Sequence, residues 1–383
     1  MANIFLTPSK IISGSNALLE AKDIISSCGK KALIVTDEIM VKLGNVDKLV
    51  ELLHSNNQKF AIFAEINSEP NDIMIQNGLD TYLENECDFL IAIGGGSPID
   101  SIKAIALMID SKESITSYMG KMIDKSLPKM VAIPTTAGTG SEATMFSIIT
   151  DTTKKVKMLL KGPCLIPDVA IIDPMFSMTT PKSVTSATGI DALTHALEAF
   201  TSKKAQPLSD IFALSAVKRI FNNLIIAYNN PQNVEARNQM SLAALEAGIA
   251  FNNSSVTIVH GMSRPIGALF HVPHGLSNAM ILEECTKYVV DGAYSRFAQL
   301  ARYTGVSLVE DDIEAANEFI NFLANFLRKL NVPTMSEYGI DQETFIECIH
   351  KMANDAYISG SPSNTRKDIQ ISDIIHLYQK VYK

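Results

Sequence analysis

The chain has 383 residues, long enough for two domains at the usual ~100–200 residues each. Apolar residues make up 46% of it and charged residues 19%, which supports a substantial core and excludes a disordered chain. With 33 basic against 41 acidic residues the net charge is −8 and no basic stripe is visible, so nucleic acid is not an expected partner.

The opening MANIFLTP has neither a basic n-region nor a sustained apolar h-region, and the five cysteines (Cys28, Cys87, Cys164, Cys285, Cys348) show no CxxC spacing. Both features point to a cytoplasmic protein with reduced thiols. A membrane span needs ~20 predominantly apolar residues. Residues 247–282 carry one formal charge, Arg264, but also Asn252, Asn253, Ser254, Ser255, three histidines and two prolines. That stretch reads as the interior around a site, and no membrane partner is expected.

In chain order, the first ~180 residues alternate short apolar runs with helix-like segments. The runs are 32–36 (ALIVT), 60–63 (FAIF), 89–93 (FLIAI), 130–133 (MVAI) and 169–172 (VAII), as expected of strands buried on both faces. Helices are expected between them at 45–57, 72–84 and 98–109. This alternation predicts an α/β domain with a mostly parallel sheet. After about Asp173 the 3.6-residue period takes over. Ile211, Leu214, Val217, Ile220, Phe221, Leu224 and Ile225 form one apolar stripe, and others run through 236–251, 313–330 and 342–353. The second half is therefore expected to be all-helical, with a boundary in 173–188 that gives domains at 1–180 and 181–383.

IGGGSPID at 93–100 follows a strand and opens a helix. Ser97 suits the N-cap and Pro98 the first helical position, and Asp100 completes a capping-box-like spacing. The free N–H groups and dipole of such a helix end suit a pyrophosphate; the alternative is a tight turn with a good cap. PTTAGTGSE at 134–142 follows the next strand, and two such turns at strand ends favour a nucleotide. Asp37 ends the first of these runs, where a carboxylate can bind ribose hydroxyls and select NAD over NADP, or simply lie solvated in a turn.

Four of the seven histidines, His195, His260, His271 and His274, fall within 80 residues. Asp191 and His195 are four apart, one turn apart on one helix face. A carboxylate with imidazoles suits Fe²⁺, Zn²⁺ or another first-row divalent ion; singly, each residue also has a structural explanation, such as a surface Asp191–His195 pair.

Together these motifs resemble the iron-dependent (group III) alcohol dehydrogenase family. The resemblance rests on GGGSPID, IPTTAGTGSE, the Lys157–Met158 pair, ATGIDALTHALE, VHGM…PHG and SGSPSNTR at 359–366, and covers nearly the whole chain. It implies a Rossmann-like dinucleotide-binding α/β domain followed by an all-α metal-binding domain. It assigns Asp191, His195, His260 and His274 as metal ligands and Gly94, Gly95, Gly96 and Ser97 to the pyrophosphate. Asp37, Thr135, Thr136 and Lys157 become further cofactor contacts, and Asp100, in the first motif, joins the cofactor-binding candidates. The implied reaction is reversible hydride transfer between NAD(H) and a small primary alcohol or aldehyde, in a homo-oligomer such as a homodimer.

One position departs from the family. Many relatives carry a histidine four residues after the ligand matching His260, and this chain has Arg264. Arginine is a poor proton shuttle and a good anion clamp. Arg264 therefore either recognises an anionic group on the substrate or pairs with a nearby carboxylate for structure. His271 is the remaining nearby imidazole for a proton relay, with ribose hydroxyl, water or a packing role as the alternatives. Two rivals are a metal- and NAD-dependent lyase resembling dehydroquinate synthase, which should need several cations at its site, and a metal- and nucleotide-binding protein without turnover.

Overall fold

The structure, a computed structural model, describes residues 2–382, which form two compact units: Leu6–Thr180, and residues 181–382 together with 2–5. The first unit runs β1 (Lys10–Ser13), α1 (Ala17–Glu20), α2 (Lys22–Ser26), β2 (Lys31–Val35), α3 (Glu38–Lys42), α4 (Asn45–Ser55) and β3 (Lys59–Phe63). It continues with α5 (Asp72–Glu84), β4 (Phe89–Gly94), α6 (Gly96–Met108), β5 (Met130–Pro134), β6 (Phe146–Asp151), β7 (Val156–Lys161) and β8 (Val169–Ile172). Six strands form a parallel sheet in the order β1-β8-β5-β4-β2-β3, and β6 and β7 pair antiparallel beside it.

The continuous apolar runs have a simple cause: alternate residues feed cores on opposite faces. Leu33, Val35, Leu90 and Ala92 enter one core, and Ala32, Ile34, Phe89 and Ile91 enter the other. The chain steps from β2 outward to β3, then crosses back to place β4 on the other side of β2. The carboxyl ends of β2 and β4 thus flank a switch in strand order, where open α/β sheets bind ligands.

The five expected strands are present with ends shifted by at most one residue. Three others were not expected. β1 is four residues long with three of them exposed, and β6 and β7 alternate buried and exposed positions around a Thr-Thr-Lys-Lys turn without Gly or Pro. The expected cap of α6 is also corrected. Gly95, not Ser97, occupies the N-cap, with no side-chain cap bond. Asp100 does not complete a capping box, because its carboxylate accepts from Ser141 Oγ (2.5 Å) and the Ile148 amide (3.0 Å).

The second unit is helical from its first element: α7 (Lys182–Thr201), α8 (Pro207–Asn229), α9 (Val234–Ser254), α10 (Ile258–Phe270) and α11 (His274–Val289). They are followed by α12 (Tyr294–Thr304), α13 (Asp312–Arg328), α14 (Gln342–Ile358) and α15 (Ile371–Val381). Residues 2–5 join this unit through the Ile4 carbonyl, which accepts from Gln206 Nε2 (3.1 Å), and Phe5, whose ring stacks on Phe212. The α8 stripe is inward at Val217, Ile220 and Leu224, but Ile211 is 62% exposed; small residues, Ala213 and Ala216, sit inward there instead. Among the described residues α8 is the one single helix long and apolar enough to cross a membrane, while α9 and α10 pass only as a pair bent by 105°.

Candidate metal centre and nucleotide face

Four side chains separated by up to 83 residues converge in the helical unit. On α7, Asp191, His195 and Glu198 follow one another at spacings of four and three and so share one face; all three are buried. Ser255, with φ 72°, breaks the chain between α9 and α10, and the 105° bend that follows turns His260, in the first turn of α10, toward α7. His274 opens α11. Gly275 lets that helix end come close, because a Cβ there would lie 2.7 Å from the Ala187 carbonyl oxygen of α7.

The donor atoms of Asp191, His195, His260 and His274 all lie within 4.8 Å of one another. Asp191 Oδ1 is 3.9 Å from His195 Nδ1, 3.7 Å from His260 Nε2 and 3.8 Å from His274 Nε2. His195 is sandwiched between the rings of Phe251 and His260, with centroids at 4.2 and 4.3 Å. The alternative of a surface Asp191–His195 pair is overturned, since both side chains are buried. The set fits a first-row divalent ion. Its donors are one carboxylate and three imidazoles, and the buried His195 Nδ1 has no hydrogen-bond partner among the described residues, a costly lone pair to bury unless a cation takes it.

Electrostatics point the same way. Burial raises the Asp191 carboxyl, yet His195, His260 and His274 outweigh it and hold the group well below the usual carboxylate range. Burial pushes the His195 imidazole down to about 3, against the pull of Asp191, so it is neutral and its lone pair is available. Burial also lowers His260, but the hydrogen bond to Glu198 and the nearby Asp191 carboxylate reverse the sign and raise it.

Two residues at the centre carried no role in the sequence. Glu198 accepts from His260 Nδ1 (2.6 Å), fixing that ring with Nε2 toward Asp191, as a carboxylate–histidine–metal relay requires. The same carboxylate accepts from Thr257 Oγ1 (2.7 Å) and the Val259 amide (2.6 Å), so it also caps the start of α10 from α7. Asn278, one turn after His274, donates from Nδ2 to Asp191 Oδ1 (2.7 Å) and lies 3.2 and 3.3 Å from the Nε2 atoms of His260 and His274. The signal for Glu198 was its spacing from Asp191 and His195 on one face; a neutral amide such as Asn278 gave none.

The remaining candidates of this unit lie elsewhere on the same elements. His271 is the left-handed C-cap of α10 (φ 54°), exposed, and outside the converging donor set. Arg264 sits one turn beyond His260, and its Nη1 donates to Ser361 Oγ (3.2 Å).

In the α/β unit, Asp37 follows β2, and its Oδ1 caps α3 by accepting from the Met40 amide (2.9 Å). Gly94, Gly95, Gly96 and Ser97 form the passage from β4 into α6, and Thr135 and Thr136 follow β5, which pairs with β4 through Gly94↔Pro134. These residues therefore lie along the carboxyl edge of three adjacent strands. Gly96 lies close under the neighbouring turn: a Cβ there would meet Thr139 Cγ2 at 2.9 Å, so Thr139 would have to shift to admit one. Asp100 and the buried Lys103 fasten the two turns together. Lys103 Nζ donates to Ser141 O (2.7 Å) and Phe146 O (2.7 Å), and burial pushes its pKa down to about 8. Lys157 stands on β7, where its ammonium pairs with Glu69 (2.7 Å), a partner the sequence did not reveal.

Comparison with known proteins agrees with this construction. The profile described as iron-containing alcohol dehydrogenase matches residues 8–174, and that of the Fe-containing alcohol dehydrogenase family, C-terminal, matches residues 185–382. An NAD-dependent methanol dehydrogenase of Bacillus methanolicus is 36% identical over 92% of this chain and 93% of its own length. An NADPH-dependent butanol dehydrogenase of Clostridium saccharobutylicum is 32% identical over 95% of both chains. The crystal structure of a 1,3-propanediol oxidoreductase superimposes over 100% of both chains with a TM-score of 0.96 at 32% identity. The chain belongs to the iron-containing alcohol dehydrogenase family, and is an oxidoreductase of that class.

Proposed function

We propose that the protein interconverts a small primary alcohol and its aldehyde, using NAD(H) and a divalent ion, iron in the first instance, held by Asp191, His195, His260 and His274. The observation that carries this reading is the convergence of those four donors, three of them buried and His274 partly exposed, in a chain whose other unit presents two glycine-containing turns at a switch point. When bound, the ion supplies Lewis acidity to the substrate oxygen and the nicotinamide supplies or accepts the hydride.

The chain's own residues prepare that chemistry. Asp191 contributes the one negative charge of the ligand set, and the neutral His195 contributes a lone pair without a proton to lose. Glu198 orients His260. At the strand ends the half-buried start of α6 suits the pyrophosphate, and Asp37 suits ribose hydroxyls and disfavours a 2′-phosphate. Since similar dehydrogenases are named for either NAD or NADPH, the choice of NAD rests on Asp37. We assign the unit at 6–180 to the dinucleotide and the helical unit to the metal. A homo-oligomer and cytoplasmic residence belong to the same proposal; all five cysteines are free.

The lyase alternative is not favoured, because both halves match alcohol dehydrogenases. The test is a panel of simple alcohols and aldehydes run anaerobically with added Fe²⁺ or Zn²⁺ and with NADH or NADPH. Metal-dependent NADH oxidation supports the proposal. Saturable NADH binding without a steady-state rate on any substrate would leave a non-catalytic binding protein.

A further inference from the structure

Resting on the oxidoreductase reading above, we propose that Arg264 and Ser361 form an anion subsite beside the metal centre. The preferred substrate is then a short aldehyde, or its alcohol, that carries a carboxylate or sulfonate at the end remote from the reacting carbon.

Four observations combine. Arg264 lies four residues after His260 on α10, so the two side chains leave the same helix face one turn apart. Its guanidinium is half-buried and forms no ion pair among the described residues. Burial lowers the Arg264 pKa, and Glu198 is the one acid that opposes this; Glu198 is already committed to Thr257, Val259 and His260. The structural role open at the level of sequence, pairing with a nearby carboxylate, is therefore absent among the described residues. Of five N–H donors on the guanidinium, one finds Ser361 Oγ.

The partner is held in place. Asn364, three residues on, donates from Nδ2 to the Val256 carbonyl (3.0 Å) and to Ser255 Oγ (3.1 Å), tying the 359–366 loop to the bend that presents His260. A fixed planar cation with spare donors, set in a partly desolvated position and lacking a countercharge, is matched by a carboxylate or sulfonate on the ligand. A neutral alkyl chain would leave the same charge unpaired, which costs free energy in a low-dielectric site.

The test compares succinic semialdehyde with butanal, which share a four-carbon chain, in NADH oxidation by the metal-loaded protein. The expected kcat/KM ratio favours the semialdehyde by about 10- to 100-fold, the scale of one charge-assisted contact. Arg264→Gln should bring that ratio close to one, Arg264→Lys should retain part of it, and Ser361→Ala should lower it less. A loss of folding would depress both substrates and not move the ratio. Turnover of butanal at equal or higher kcat/KM, or a preference that survives Arg264→Gln, would overturn the subsite and leave the oxidoreductase reading intact. If neither aldehyde is turned over, the wider substrate panel decides the oxidoreductase reading, and calorimetry with unreactive succinate still decides the subsite. Binding that weakens at least tenfold in Arg264→Gln upholds it; absent or unchanged binding overturns it.

Discussion

The candidate nucleotide face and the candidate metal centre are built by opposite means. At the strand ends most of the chemistry is backbone: Gly94, Gly95, Gly96 and the turn after β5 present amides, and side chains such as Asp100 and Lys103 work underneath to lock the turns together. At the candidate metal centre the chemistry is side chain, supplied from three helices, with Asp191, His195 and His260 buried and His274 partly exposed. A backbone site survives many substitutions so long as the turn keeps its shape, whereas a side-chain site fails with a single donor. Mutations should therefore separate the two regions cleanly.

The largest effect is expected at Asp191. Removing the only carboxylate of the set (Asp191→Ala) should abolish stoichiometric metal and reduce kcat/KM by roughly 10³-fold or more, while NADH binding, followed by fluorescence, persists. Metal retained with activity would refute the ligand assignment. Next comes Glu198→Gln, which keeps the shape but weakens the hold on His260. Metal affinity, measured by competition with a chelator, should fall ~10- to 100-fold, the usual cost of losing an outer-shell partner.

On the other side of the comparison, Gly96→Ala should raise the KM for NADH by ~10-fold, because Thr139 must move to admit the methyl group, and should leave metal content unchanged. Asp37→Ala should shift the NADH-to-NADPH preference by ~10-fold toward NADPH, read from paired kcat/KM values. The smallest effect is expected for His271→Ala. That side chain is exposed and outside the ligand set, so solvent can replace it in any proton exchange, and kcat/KM should change by less than about tenfold. A larger loss would establish His271 as a relay.

What the sequence disclosed follows the same division. Strands such as β8, buried on both faces, announce themselves as unbroken apolar runs, whereas β6 and β7, half-exposed, read as loop. Asp191 and His195 were legible because one helix carries both at a spacing of four. Ser97 misled, because a good capping residue sat two positions inside a helix that a glycine had already started. Glu198 stood within the same motif as Asp191, but its importance depends on α10 arriving beside it, a tertiary event created by the break at Ser255. Asn278 and the Lys157–Glu69 pair are invisible for the same reason: their partners lie 87 and 88 positions away. Arg264 could be singled out by its charge, but only the folded chain reveals that it forms no ion pair among the described residues.

Four side chains, Asp191, His195 and His260 buried and His274 partly exposed, are expected to share one ion. Crystals of protein loaded anaerobically with Fe²⁺, measured on both sides of the iron absorption edge, test that expectation directly. One strong anomalous peak bonded to Asp191, His195, His260 and His274 is expected. Iron bound elsewhere, or a peak that persists unchanged in Asp191→Ala, would contradict it.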